Sequence, residues 1–379
     1  MQIDFLIVGS GLTGTTIARL LHDKGFKVLV VDRRSHLGGN VYDRLHHSGI
    51  RINTYGPHYF RTTSKRLWEF VNRFSKFYKY EAEILTLIDS KFEHWPIIQT
   101  YINEHCGANW KPEFTGIPSN FEEACLAKMP RVVYMNFVKN YTEKQWGAPS
   151  HTLSSELAGR FTVHADNDTR LKNVSYQGIP VDGYTGLMTN LLQGIPLILN
   201  FDYLNHRNTF IPKFQTVFTG PIDEYFGFDI GKLAYRGQIR EHIYYPESKF
   251  IYPKGQINTP SHRLGSQIRY IEWKHMMLKQ DSQRIKGTVI TSETPYSPDH
   301  TDAYEYPFPD SKNNLLYKRY YARTASCPNV LFCGRLGEYK YYDMDQAISR
   351  AMLHADRLIE LREGITSIPI MNEREFITK

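Results

Sequence analysis

Gly9, Gly11 and Gly14 form G-x-G-x-x-G directly after the apolar run Phe5 to Val8, and Asp32 follows Gly14 by 18 residues at the end of a second apolar run, Lys27 to Val31. Between them, Thr15 to Lys24 has helical periodicity, so strand, glycine turn, helix, strand and terminal acid occur in the order of a dinucleotide-binding unit. Gly9 permits the tight turn, Gly11 lets the backbone approach a pyrophosphate, and Gly14 lets helix and strand pack closely. The free N–H groups at the helix start favour the anion, and Asp32 is placed to accept from a ribose diol. The next residues, RRSHLGGN, supply Arg33 at the head of an R-x-x-x-x-G-G pattern, with Gly38, Gly39 and Asn40 open to a second part of the cofactor. An NAD dehydrogenase has no need of that second glycine pair, so the pattern favours FAD over NAD.

The elements that must position this chemistry make an α/β chain. A length of 379 residues and 41% hydrophobic residues support a sizeable core in two or three domains. Ser64 to Phe77 and Asn120 to Val138 read as helices. Phe92 to Pro118 reads as loop with short helices, and Gln215 to Thr219, Arg269 to Trp273 and Gly287 to Thr291 read as strands. Val330 to Cys333 followed by Met344 to Leu361 repeats the strand, turn and helix order, so the last segment is expected to return to the nucleotide-binding domain. Glu363 to Lys379 reads as a loosely held tail.

The formal charge of +7 is dispersed, with no basic run of the kind that marks a nucleic-acid surface. A diphosphate-bearing small ligand accounts for such an excess. Aromatics are abundant at 14%, with 26 Tyr, as a site stacking rings and contacting sugars would use. The four cysteines show no CxxC or metal-ligand spacing, no apolar stretch approaches the ~20 residues a membrane span needs, and the chain opens directly on a strand. These features lead to the expectation of a cytoplasmic protein with no metal, no membrane and no nucleic-acid partner.

Several segments have no general structural purpose: YGPHYFRT at 55–62, YTEKQWG at 141–147, YQGIPVDGYTGL at 176–187, TGPIDEYF at 219–226, IRYIEWKH at 268–275 and GRLGEYKYYDMDQAIS at 334–349. With GSGLTG at 9–14 and HLGGN at 36–40, they make the chain resemble, over nearly its whole length, the bacterial flavin-dependent UDP-galactopyranose mutases. The resemblance implies a discontinuous Rossmann-like FAD-binding domain with a helical insertion domain and a mixed or antiparallel β-sheet domain. On that pattern, 1–77, 201–235 and 311–379 with its tail form the FAD domain and 78–150 the helical insertion. Residues 151–200 are a sheet-domain segment with a mobile loop at about 164–176, and 236–310 the mixed-sheet substrate domain. The implied activity interconverts pyranose and furanose forms of a nucleotide sugar, UDP-galactose by default, with UDP-N-acetylgalactosamine, dTDP-fucose or another deoxysugar nucleotide open. Reduced FAD attacks the anomeric carbon through N5 and no net redox change follows. A reductant such as NAD(P)H or dithionite, a homodimer and a role in surface-polysaccharide synthesis belong to the same implication.

The resemblance also implies roles. Arg269 binds the diphosphate, Tyr306 and Tyr341 donate to it, and Tyr184 closes over it. Tyr141 and Trp146 flank base and sugar. His58 lies beside the flavin ring, Tyr55 beside it in the same motif, Arg335 stabilises the anionic reduced ring, and Asp343, with Met344, orients that segment. A guanidinium fork suits a diphosphate because it holds two oxygens at once. Two departures concern the substrate. The family pattern places an arginine directly before YQGIP, where this chain has Ser175, so Arg170 or Lys172 is expected to supply the loop charge. YGPH replaces YGAH, with Pro57 stiffening the turn. A FAD-dependent oxidase, which would consume oxygen, and a non-catalytic sugar-nucleotide binder, which would not isomerise its ligand, remain as readings from other classes. No His or Cys stands at an evident flavinylation motif, so the purified protein should be yellow and release intact FAD on heating. Release of NAD instead, or of no cofactor after flavin supplementation, would overturn the cofactor assignment.

Overall fold

The computed structural model describes residues 2–161 and 163–363; the expected tail, 363–379, lies outside the described residues except for Glu363. Five parallel strands form one sheet in the order Leu197–Ile198, Val28–Val31, Phe5–Val8, Gln215–Phe218 and Val330–Phe332. Their near-continuous apolar character follows from burial on both faces. Helices Leu12–Asp23 and Met344–Glu363 cover one face through Ile17, Leu21, Ala351, Ala355 and Leu358. An aromatic layer including Tyr203, Tyr225, Tyr320 and Phe332 covers the other. The helix starting at Leu12 has no side-chain cap, because Gly11 offers none. Its first N–H groups therefore remain available at the carboxyl ends of the strands, the usual position of a ligand in such sheets.

A second sheet of seven strands runs in the order Tyr306–Pro307, Tyr235–Tyr245, Thr288–Tyr296, Arg269–Glu272, Gln256–Asn258, Ile84–Ile88 and Lys91–Trp95. Only the pairing of Gln256–Asn258 with Ile84–Ile88 is parallel. Two domain expectations need correction here. Residues 78–150 are not wholly helical, because the apolar run ILTLI pairs with KFEHW through a turn at Asp89 and Ser90, both at positive φ. Lys91–Trp95 also replaces the loop expected from Phe92. Among the described residues, no strand of 151–200 enters this sheet. Tyr176–Pro180 instead joins Phe60–Thr62 and Phe77–Lys79 in a three-stranded sheet, and Leu197–Ile198 edges the parallel one.

The helices between Gln99 and Trp146 pack around Ile102, Phe121, Val133, Phe137 and Trp146. Asn120 caps Phe121–Leu126 by accepting from the Glu123 N–H at 3.0 Å. Tyr134–Lys139 is wound as a π-helix, an arrangement found often at functional sites, and runs into Asn140–Trp146, which ends at Gly147 in the left-handed conformation. The described residues include no helix long and apolar enough to cross a membrane.

The glycine turn tolerates no side chain at Gly9 or Gly14. A Cβ at Gly14 would lie 2.0 Å from the Gly9 carbonyl oxygen and 3.1 Å from Cγ2 of Ile7. Since the first of these is backbone, Gly14→Ala must push the helix off the strand. It should lower stability by about 1–3 kcal/mol and reduce bound flavin, as read by denaturant unfolding and the flavin-to-protein absorbance ratio. Unchanged values in both would show that the turn relaxes freely.

Candidate flavin and nucleotide-sugar site

A cleft of about 1190 Å³, its open mouth included, runs along the carboxyl ends of the parallel strands. The structure places Gly9, Gly11, Gly14, Asp32, Arg33, Gly38, Gly39, Asn40, His58, Arg335 and Met344 on its walls. Gly11 and Gly39 meet back to back, and a Cβ on Gly39, at φ +54, would stand 3.0 Å from the Gly11 Cα. Two glycine backbones thus form a floor that bulkier residues would fill. Asp32 is fixed by Ser10, whose N–H and hydroxyl both donate at 2.7 Å, and by the Arg34 N–H at 2.9 Å. Most of its carboxylate capacity is therefore used within the protein, leaving little for a ribose.

Three expected cofactor contacts fall outside the cleft lining. The Tyr55 hydroxyl lies 2.9 Å from Nε2 of His36 and its ring lies under Arg34 at 4.7 Å, so it supports the wall from behind. Tyr341 and Asp343 stand beyond the flavin end, where Tyr341 donates to Asp343 at 3.1 Å and Arg61 pairs with Asp343 at 3.6 Å. Burial would raise the Asp343 carboxyl, but Arg61 and Arg160 outweigh it and hold it below its ordinary range.

At the inner end, Arg335 donates to the Tyr342 carbonyl at 2.7 Å and the Glu305 carbonyl at 3.2 Å, which leaves further guanidinium N–H groups for an anionic ring. Beside it, Nδ1 of His58 is buried with no partner in the protein. Burial, then the charges of Arg335 and Arg240, push this imidazole down to about 3, so it is neutral at physiological pH. An orphaned buried nitrogen, a glycine floor and a guanidinium with spare donors fit a flavin dinucleotide.

Next to His58 the seven-stranded sheet contributes a buried ion network. Glu293 is fully buried; it accepts from Arg240 at 2.8 Å and pairs with Arg269. Arg240 also forks onto both oxygens of Glu305, at 2.7 and 2.8 Å. Burial would raise the Glu293 carboxyl, yet Arg269 and Arg240 outweigh it and bring it to about 2. Burial likewise opposes the charge of Arg269, and Glu293 keeps it protonated. The Arg269 strand is held from behind by Lys144 of YTEKQWG, whose buried ammonium donates to the carbonyls of Thr259, Ser261 and Gln267 at 3.0, 2.7 and 3.0 Å.

The aromatic part of the site is a stack of Tyr306 on Tyr341, ring centres 6.0 Å apart, with Arg335 4.9 Å and Arg160 4.1 Å from the Tyr341 ring. Burial pushes the Tyr306 hydroxyl up to about 12 and raises that of Tyr141, so both remain donors at neutral pH. Tyr141 shares this environment with Arg269, Glu293, Arg160 and Tyr341.

Three expected substrate contacts are corrected by the geometry. Tyr184 is 1% exposed and its hydroxyl donates to the His58 carbonyl at 3.1 Å, so it props the histidine loop rather than closing over a ligand. Trp146 is 5% exposed, packed edge-on to Phe308 at 5.9 Å, and offers no free face to a base. Arg170 is spent on Asp168, at 2.7 and 2.8 Å, and Glu81, at 3.4 Å. Lys172 is exposed and its charge reaches Asp343, so its expected role is not overturned. Besides Arg335, the cation on the Tyr341 ring is Arg160, which no spacing in the sequence marked. Arg61 lies inside YGPHYFRT, Glu293 and Arg240 are charges within strands, and Glu305 directly precedes one.

A Rossmann-type cleft joined to a cation-rich aromatic pocket defines a flavoprotein that handles an anionic ligand. Residues 136–341 match the family model described as UDP-galactopyranose mutase, and residues 7–74 match an NAD(P)-binding Rossmann-like domain. The chain belongs to the UDP-galactopyranose mutase family and is an FAD-dependent isomerase. It is 29% identical over 370 residues to dTDP-fucopyranose mutase of Escherichia coli, covering 92% of this chain and 96% of that one. It is 27% identical over 406 residues to UDP-galactopyranose mutase of Mycoplasma pneumoniae, covering 95% and 97%. The crystal structure of a reduced UDP-galactopyranose mutase shares the fold with a TM-score of 0.77 and 14% identity, covering 95% of this chain and 94% of that one.

Glu293→Gln leaves two buried guanidiniums short of a counter-charge and should cost about 3–5 kcal/mol. A carboxyl held near 2, against an ordinary 4.5, stabilises the fold fully above pH 4.5 and loses that contribution as pH falls toward 2. The stability gap between wild type and Glu293→Gln, measured by urea unfolding, should therefore close across that window. A gap independent of pH would show that Glu293 is not the titrating group.

Proposed function

We propose that this enzyme interconverts UDP-galactopyranose and UDP-galactofuranose, with Arg269 and Arg160 gripping the diphosphate beside the Tyr306–Tyr341 stack. The observation that carries the reading is a pair of guanidiniums from separate segments beside the flavin cleft, Arg160 on the Tyr341 ring and Arg269 within electrostatic reach of Tyr306. Bound reduced FAD supplies the nucleophile that displaces the diphosphate from the anomeric carbon. The protein's task is to hold the leaving group close and stabilise its charge until it returns. Arg269, backed by Glu293, gives a fixed fork, while Arg160 adds a cation from the solvent side. Tyr306 presents a neutral hydroxyl to the diphosphate oxygens, while the Tyr341 hydroxyl, donated to Asp343, holds the stack in place. Arg335 offsets negative charge on the reduced ring, and neutral His58 can accept or donate one hydrogen bond there without adding a charge. Tyr141 lends a ring face to the base or sugar.

The family name and the Mycoplasma relative support the UDP-galactose assignment, whereas the E. coli relative makes dTDP-fucopyranose the second candidate. We further propose that the enzyme is a cytoplasmic homodimer, reduced by a nicotinamide donor or by dithionite in vitro, that serves surface-polysaccharide synthesis. The cysteines support that location, since all four are free.

Incubating dithionite-reduced protein with UDP-galactopyranose and with dTDP-fucopyranose, then separating products, tests the reading. Furanose product should form only with reduced enzyme, without stoichiometric loss of reductant; equal rates with oxidised enzyme would reject the mechanism. Turnover of the fucose nucleotide alone would reassign the sugar, and net oxidation with oxygen uptake would move the chain to the oxidases. Arg269→Ala and Arg160→Ala should each lose about one to two decades in rate with FAD retained, from the ~1.5–3 kcal/mol of a charge-assisted contact. Arg170→Ala, which removes a half-buried pair partner already committed to Asp168 and Glu81, should stay near wild type. The opposite ranking would return the diphosphate to the 164–176 loop.

A further inference from the structure

Arg269 belongs to a polar row that crosses the seven-stranded sheet. Strand register sets Thr86 opposite Asn258, Asn258 opposite Arg269, and Glu293 opposite both Arg269 and Arg240, so all five side chains share the face that carries the arginine site. Asn258 is 7% exposed and Gln256, two residues before it on the same face, 5%; buried amides such as these need partners. They find them in a chain of three groups. Tyr59, from YGPHYFRT, donates its hydroxyl to Oε1 of Gln256 at 3.1 Å, and Nε2 of Gln256 donates to Oδ1 of Asn258 at 2.9 Å. Burial pushes the Tyr59 hydroxyl above its ordinary value, so it keeps its proton at neutral pH, and its ring is stacked on Tyr80 at 5.5 Å. Among the described residues that hydroxyl has no other partner. Turning the Gln256 amide round would leave the phenol proton without an acceptor, so the chain has one favoured polarity. It uses the Asn258 oxygen and leaves Nδ2, which has no partner among the described residues and is not sealed from solvent, in contrast to the Thr86 hydroxyl opposite.

We propose that Tyr59 and Gln256 are positioning residues that hold Asn258 with its N–H₂ group outward beside Arg269. The wall around the arginine then offers hydrogens: those of the guanidinium, of the amide, and of the neutral Tyr141 and Tyr306 hydroxyls. An ionised diphosphate accepts and does not donate, so such a wall is matched to it, whereas a reversed amide would set a carbonyl oxygen against its charge. Fixing the amide in advance also removes the cost of ordering it when the ligand arrives. The inference rests on the diphosphate lying at Arg269 and holds for either base and either sugar.

The test measures binding of UDP and of dTDP to the oxidised holoenzyme by calorimetry, with flavin content as the check on folding. Tyr59→Phe removes one oxygen and keeps the ring stack; Gln256→Met keeps the length and removes both polar atoms. Each should weaken both nucleotides about 5-fold, and the double variant should lose no more than the worse single one, because the chain fails as a unit. Asn258→Ala should weaken them about 10-fold, and on that background Tyr59→Phe should add less than about two-fold. A merely structural role would cost the same with or without Asn258. Unchanged affinity in Tyr59→Phe or in Gln256→Met would overturn the proposal, as would a Tyr59→Phe loss that persists in Asn258→Ala, or additive losses in the double variant. If Gln256→Met does not retain flavin, Tyr59→Phe with and without Asn258 decides alone. Arg269→Ala separates this inference from the site assignment. If that variant binds UDP as wild type does, the diphosphate lies elsewhere and both readings fall; if it loses UDP while Tyr59→Phe binds fully, the positioning role alone is overturned.

Discussion

A carboxylate with no access to water, Glu293, sits between two guanidiniums, and the geometry of the reaction end follows from keeping that arrangement satisfied. Arg269 and Arg240 come from strands on either side of the Glu293 strand, so the charges fix register as well as compensating one another. Arg240 passes the constraint to Glu305 by a bidentate pair, and the Glu305 carbonyl passes it to Arg335 in the segment that lines the flavin cleft. Breaking such a chain at one partner leaves an uncompensated charge in a medium where charges are expensive. In this chain of groups, three guanidiniums face two carboxylates. The surplus positive charge is what an anionic ligand needs, and the fold carries it because the other charges are paired.

The two sheets meet at a second fixed point. Tyr339 has φ +45, a left-handed conformation that a bulky side chain adopts only where its surroundings compel it. Its hydroxyl donates to the Ala234 carbonyl at 2.6 Å and accepts from the Phe308 N–H at 3.0 Å, gripping the ends of the Tyr235 and Tyr306 strands. The turn it forces brings Tyr341 onto Tyr306, one ring from each sheet region. The stack is thus a seam between two domains rather than the property of either.

The parallel sheet was legible because its signals are local: glycine spacing, apolar runs and the acid that ends a strand all act within 30 residues or so. The family motifs located the reaction end for the same reason. Side-chain direction was not legible. Trp146 and Tyr141 stand five residues apart in one motif, yet the helix buries the first in the core and turns the second toward the arginines. The Ile84–Ile88 hairpin was missed because a short apolar run does not distinguish strand from buried helix, and its partner strand begins 168 residues later, at Gln256. Charges inside strands, such as Glu293, look anomalous until the opposing guanidiniums are in place.

The loop arginine shows why the presence of a charge is a poor guide to its use. Arg170 stood near the position where the family pattern called for a cation, but Asp168 lies two residues away and Glu81 across a bridge, so its fork is occupied. Arg160 has no acidic neighbour in sequence closer than Glu156, and among the described residues it forms no ion pair, resting on the Tyr341 ring. A guanidinium on an aromatic face keeps its N–H edge unspent, since the ring engages its plane. The diphosphate can therefore take the full fork of Arg160 without displacing a carboxylate first, whereas at Arg170 it would have to compete with two. Availability, set by what the surrounding fold leaves unpaired, is what favours Arg160 over Arg170 in the proposed diphosphate site.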